Sequence, residues 1–187
     1  MRVIGIGLVL VGVMVGETMI SDSPLLDLFP HIAKAGNNYI VEWEAQTSSG
    51  SFEIFVRAID GNGNVISSPL QVSSDDQGGH RLNGTIISSG GGAIVSWINH
   101  RNKRVYAQKI NCIGQLDWDD TVGIYTSYDL QTPAVCEDGH GGAVFVWVEK
   151  KEKESEYYLK AAKISAQGKF EDNPNTPSVS YTHLRAH

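Results

Sequence analysis

Asp60, Asn62 and Asn64 stand at the first, third and fifth positions of what could be a calcium loop, where oxygen ligands alternate along the chain. The frame fails further on. Such a loop wants glycine at its sixth position and a bidentate glutamate at its twelfth, and the chain has Val65 and Gln71 there. The triplet reads instead as a turn whose side chains bond their own backbone. Glycoside cleavage needs two carboxyl groups flanking the bond, and Asp117, Asp119, Asp120 and Glu137 could supply them. Nothing in their spacing singles out a pair, and acidic turns account for all four. His31, His80, His100 and His140 fall one to a segment, without metal-ligand spacing. Cys112 and Cys136 are the only cysteines and form no Cys-x-x-Cys pair. They read as two separate thiols, although an oxidising compartment would allow one bridge. No serine lies in a Gly-x-Ser-x-Gly elbow, and no glycine-rich phosphate loop opens a helix. Asn83-Gly84-Thr85 is a formal glycosylation acceptor, relevant only in a eukaryotic source. The expectation is therefore no catalytic, cofactor-binding or metal-ligating residues and no cofactor.

The elements that would have to position any such group are easier to read. The chain has 187 residues, 41% hydrophobic, enough for one domain with a sizeable core. Twenty glycines and an abundance of Val, Ile, Ser, Thr, Tyr and Trp point to strands and tight turns. The net charge of −6 repels a phosphate backbone and argues against nucleic acid as a partner. Lys150, Lys151 and Lys153 alternate with Glu149, Glu152, Glu154 and Glu156, so that stretch reads as a solvated hairpin tip.

A repeat organises the chain. Trp43, Trp97 and Trp147 each end a similar apolar run: Tyr-Ile-Val-Glu-Trp, Ala-Ile-Val-Ser-Trp and Ala-Val-Phe-Val-Trp. A glycine- or asparagine-rich turn precedes each run, and before that turn lies another short apolar stretch, around Ile32, Ile86 and Val135. A third strand follows each tryptophan and closes on Ile59, Ile110 or Ile164; a turn carrying Gly63, Gly114 or Gly168 comes next. A fourth strand is expected at Val65 to Ser67 and near Leu116 to Trp118, with the third copy only beginning its own at Phe170. Four strands in roughly 50 residues is the period of propeller blades. Near-continuous apolar runs fit strands buried on both faces, and each tryptophan is a natural spacer between sheets.

The phrases Gly-Gly-Ala-Ile-Val-Ser-Trp, Val-Tyr-Ala-Gln-Lys-Ile-Asn and Asp-Gly-His-Gly-Gly-Ala-Val-Phe-Val-Trp resemble the repeats of large secreted bacterial β-propeller proteins of uncharacterised function. The resemblance runs from about Phe29 to Phe170 and implies an all-β fold of tandem four-stranded antiparallel blades in an incomplete ring. The repeats are expected at about 29–78, 79–128 and 129–178, the last incomplete. The Ser-x-Asp-x-Gly-x-Thr-Trp box of sialidase-type propellers is not matched at Ser88 to Trp97 or Asp138 to Trp147. Arg57, Arg81, Arg101 and Arg104 share no frame of the repeat.

Both ends are expected to lie outside the repeats. Arg2 followed by the apolar run from Val3 to Gly16 has the layout of a signal peptide, shorter than a membrane span, so residues 1–23 read as a signal or N-terminal hydrophobic segment. No stable membrane span is expected after export, which would leave the protein secreted, periplasmic or at the cell surface. Residues 179–187 resemble translated sequencing adapter and read as non-native tail. The expected function is a non-catalytic extracellular scaffold or binding module for an unknown protein or glycan, not an enzyme; the alternative is part of a propeller-fold glycosidase or sialidase-like enzyme.

Overall fold

The computed structural model describes residues 17–73, 81–99, 101–125, 129–130, 133–150 and 157–171. Residues 1–16 of the expected N-terminal segment 1–23, the expected tail 179–187, His80 and His100 lie outside them.

Three antiparallel sheets follow one another along the chain. The first holds β1 (Asp27–Ala35), β2 (Asn38–Gln46), β3 (Phe52–Ile59) and β4 (Leu70–Gln71) in sequence order. The second repeats this with β5 (Arg81–Ser89), β6 (Gly92–Asn99), β7 (Arg104–Ile110) and β8 (Val122–Tyr125). In the third, β9 (Asp129–Leu130) and β10 (Ala134–Glu137) both pair with β11 (Ala143–Lys150), which also pairs with β12 (Tyr157–Ile164). Among the described residues there is no helix. The chain is thus all-β, built of propeller blades, and the ring is incomplete. No helix of the described residues is long and apolar enough to cross a membrane.

The fourth strands differ from expectation. Val65, Leu116 and Phe170 each make one isolated bridge, to Ile59, Ile110 and Ile164. Paired fourth strands come later, at Leu70–Gln71 and Val122–Tyr125. Side chains interrupt the ladder. In the first sheet the Ala58 N–H donates to Ser67 Oγ (2.8 Å) instead of to a backbone carbonyl. In the second, Trp118 turns into the next sheet, its Nε1 donating to Ala166 O (2.8 Å).

Strand periodicity fixes which faces meet. Ile40 on β2 and Ile54, Val56 and Ala58 on β3 share one face of the first sheet and pack with Ala93, Val95, Trp97 and Ile110 of the second. The opposite face of the second sheet carries Ile94, Ile98, Val105 and Ala107, which pack with Ala143, Phe145, Trp147 and Ile164 of the third. Trp97 and Trp147 therefore each face the preceding sheet. Trp43 occupies the equivalent place on a sheet with no sheet before it among the described residues; Ile20 covers it, beside Val41, Ala45 and Phe55. Cross-strand aromatic pairs brace two of the three: Trp43 stacks on Phe55 at 6.0 Å and Trp97 on Tyr106 at 5.9 Å.

The connecting turns share a device. Asp60 Oδ1 accepts from the backbone N–H of Asn62 and Asn64, Asn111 Oδ1 from Ile113 and Gln115, and Ser165 Oγ from Gln167 and Lys169. The glycine of each turn, Gly63, Gly114 or Gly168, has φ of +86°, +83° or +74°, which disfavours any side chain.

Replacing Trp97 by Ala should destabilise the protein by about 3–5 kcal/mol, the usual loss for a buried tryptophan. Denaturant unfolding checks this; a loss under about 1 kcal/mol would mean that the indole does not fill the space between two sheets.

Candidate functional site

Several of the acids weighed from the sequence serve turns. Asp60 caps its own turn, and its hydrogen bonds, Asn64 foremost, hold its carboxyl below the usual range. Asp138 does the same, with the His140 N–H as the first cause. Asp119 and Asp120 are exposed, Asp117 lies 3.7 Å from Lys109 Nζ, and Glu137 accepts from the Gly90 N–H. The Arg57 guanidinium donates to Ser67 O and Ile20 O and so ties the segment before β1 to the first sheet. Cys112 and Cys136 are both free thiols. The repeat anchors Ile110 and Ile164 are fully buried, and Ile59 is half-buried.

The structure gathers a different set. Glu42 and Glu44, two apart on β2, point to the face that packs against the second sheet, and both are almost wholly buried. The equivalent positions are Ser96 and Ile98 in the second sheet and Val146 and Val148 in the third. Glu42 Oε2 lies 3.0 Å from His31 Nδ1, and the His31 side chain is 47% exposed. Glu42 Oε1 is buried without a hydrogen-bond partner. Glu44 Oε1 accepts from the Gly84 N–H at 3.3 Å.

Irregular backbone frames this group. β1 carries a one-residue bulge between Leu28 and His31, with Phe29 at φ +50°, and β5 carries one between Leu82 and Thr85. Bulges at this point re-aim the neighbouring side chains. β1 packs against β5, so the two bulged first strands meet beside the acids. Gly84 sits in the second bulge, and a Cβ there would overlap Glu42 Oε1. Any side chain at this position would displace the Glu42 carboxyl from where it lies.

Burial first, and then the adjacent Glu44, push the Glu42 carboxyl up from 4.5 to about 8. Desolvation thus favours the neutral form of the Glu42 carboxyl, whose Oε2 is within hydrogen-bond distance of His31 Nδ1. The cluster is thus a pair of buried carboxyls, one of them beside a half-exposed imidazole.

No protein-family description matches the chain, and neither does any curated protein. Solved structures do. A thermostable family-43 glycoside hydrolase aligns over 81% of this chain and 55% of its own, at 14% identity and a TM-score of 0.50. An endo-arabinase from Bacteroides thetaiotaomicron aligns over 77% of this chain and 61% of its own, at 12% identity and a TM-score of 0.45. The chain thus spans between about half and three fifths of the solved structures it matches. At this identity the likeness is one of fold. The expectation of a non-catalytic scaffold that is not an enzyme is corrected by this finding: the solved structure with which the chain aligns is a glycoside hydrolase, which sides with the alternative weighed for the sequence.

The buried acids were missed in the sequence because Glu42 lies inside an apolar run that reads as an ordinary strand. The available signal was two acids at alternate positions where the other two repeats have Ser and Ile, or Val and Val.

Because the folded state binds the Glu42 proton more tightly than the unfolded chain, its contribution is complete below about pH 4.5 and is lost as pH rises to about 8. Glu42→Gln should flatten this fall and raise stability at pH 8 by a few kcal/mol (order of magnitude). Urea unfolding at pH 5, 7 and 8.5 measures it; an unchanged pH slope in the variant would remove Glu42 as the cause.

Proposed function

We propose that this chain is part of an exported, propeller-fold glycoside hydrolase whose partner is a glycan substrate. One observation carries the reading: three successive four-stranded sheets align with a family-43 glycoside hydrolase over 81% of the chain. Export is supported by Arg2 and the apolar run that follows it.

The local chemistry fits the reading. Glycoside cleavage needs an acid that is still protonated at neutral pH, and enzymes obtain one by desolvation and a neighbouring like charge. Glu42 has both. Because Glu42 is itself fully buried, its outlet is His31. In this reading the Glu42 proton passes to His31 Nδ1 as His31 Nε2 gives its own to the leaving glycosidic oxygen; the C–O bond breaks, water adds to the anomeric carbon, and the water's second proton goes to solvent. Glu42 is then a positioning and proton-supplying residue, and His31 is the group that meets the sugar.

The test is release of sugar from arabinan and of chromophore from a panel of aryl glycosides and sialosides. Turnover is expected on at least one substrate. His31→Ala should lower kcat by about 10²–10⁴-fold, the usual worth of a general acid. Glu42→Gln should lower kcat and shift its pH profile while KM stays within about twofold. Absence of turnover by the folded protein on the whole panel would overturn the proposal, and full activity in His31→Ala would overturn the assigned acid.

A further inference from the structure

The two sheet junctions differ at one point on their outer rim. In each of the first two blades the chain makes a single bridge after its turn, Ile59 with Val65 and Ile110 with Leu116. One hydrogen bond follows, from the Ile66 N–H to Ala58 O and from the Asp117 N–H to Lys109 O. The next residue is Ser67 in the first blade and Trp118 in the second, so these two are structural equivalents. Each lies against the turn glycine of the blade that follows. A Cβ on Gly168 would come within 2.9 Å of the Trp118 ring, and one on Gly114 within 2.7 Å of Ser67 Oγ.

At the second junction the indole fills this space, 5% exposed and packed with the core. At the first, a hydroxymethyl group stands in its place. A surface-open cavity of about 570 Å³ lies there, between the chain at Ile66 to Leu70 and the turn at Ile113 to Leu116. That size is within the range of small-molecule sites, roughly 300–1,000 Å³. Ile66, Ile113 and Leu116 line it and are 43–49% exposed. None of its lining residues is charged. The polar requirement is also already met: the carbonyl equivalent to Ala166 O, the indole's acceptor, is Cys112 O, which accepts from Asn38 Nδ2 at 2.9 Å.

We infer that this rim cavity is a binding site for a small molecule bearing a neutral, planar aromatic ring of indole size. The ring lies over Gly114 as the Trp118 indole lies over Gly168, in contact with Ile66, Ile113 and Leu116. A charged ligand is disfavoured by the uncharged lining. The site is separate from the Glu42 cluster and does not depend on the hydrolase reading.

Titration of the whole chain with indole by calorimetry tests this. Saturable binding of one indole per chain is expected. Ile113→Glu, at an exposed position, should weaken it at least tenfold, and Ser67→Trp should abolish it by supplying the missing ring. Leu159→Glu, an exposed apolar residue of the third sheet, should leave it within twofold. Absence of saturable binding would overturn the inference, as would equal affinity in Ile113→Glu, or an equal loss in Leu159→Glu. Because Ser67→Trp also removes the acceptor for the Ala58 N–H, Ile113→Glu decides if that variant does not fold.

Discussion

The structure depends on the burial of a tryptophan-bearing sheet face against the sheet before it. The central strands of the first two sheets are buried on both faces, so neither sheet is complete alone. β6 shows this most plainly: all eight of its residues are buried. Its odd-numbered residues Val95 and Trp97 belong to the first junction, and its even-numbered Ile94 and Ile98 belong to the second. A strand with two buried faces fixes its register on both, since a slip of one residue would exchange them. The capped turns and the single isoleucine bridges then bring each chain segment back in the same frame for the next sheet.

Within that frame the first junction is anomalous at two places, and both concern what the second junction does with apolar side chains. Where Ser96 and Ile98 meet the third sheet, Glu42 and Glu44 meet the second. Burying an ionised carboxyl is costly, and Glu42 avoids most of the cost by keeping its proton. Gly84 gives up a side chain to admit it, and the bulges of β1 and β5 bend the inner strands around it. The other anomaly is Ser67 in place of Trp118, where the deviation leaves space rather than charge.

Much of the architecture was legible because it is periodic. The runs ending at Trp43, Trp97 and Trp147 fall on β2, β6 and β11, and those ending at Ile59, Ile110 and Ile164 fall on β3, β7 and β12. The fourth strands were misplaced because Ser67 and Trp118 redirect the backbone through side-chain contacts that no local pattern announces. The site was invisible for a similar reason. His31, Glu42 and Gly84 are brought together by the β1–β2 register and by the packing of β5 on β1, and neither is encoded in spacing along the chain. The acids weighed from the sequence, Asp117, Asp119 and Asp120, read as acidic turns, and all three are exposed.

The ordering of faces is open to direct measurement through the indole of Trp97. Nuclear Overhauser contacts from its ring protons should reach methyl groups of the first sheet, such as those of Ile54 and Val56, while the Trp147 ring should reach Ile94 and Ile98. Contacts from Trp97 to Ile164 and the third sheet instead, or to its own sheet alone, would contradict the stacking on which the fold, the acid cluster and the rim cavity all rest.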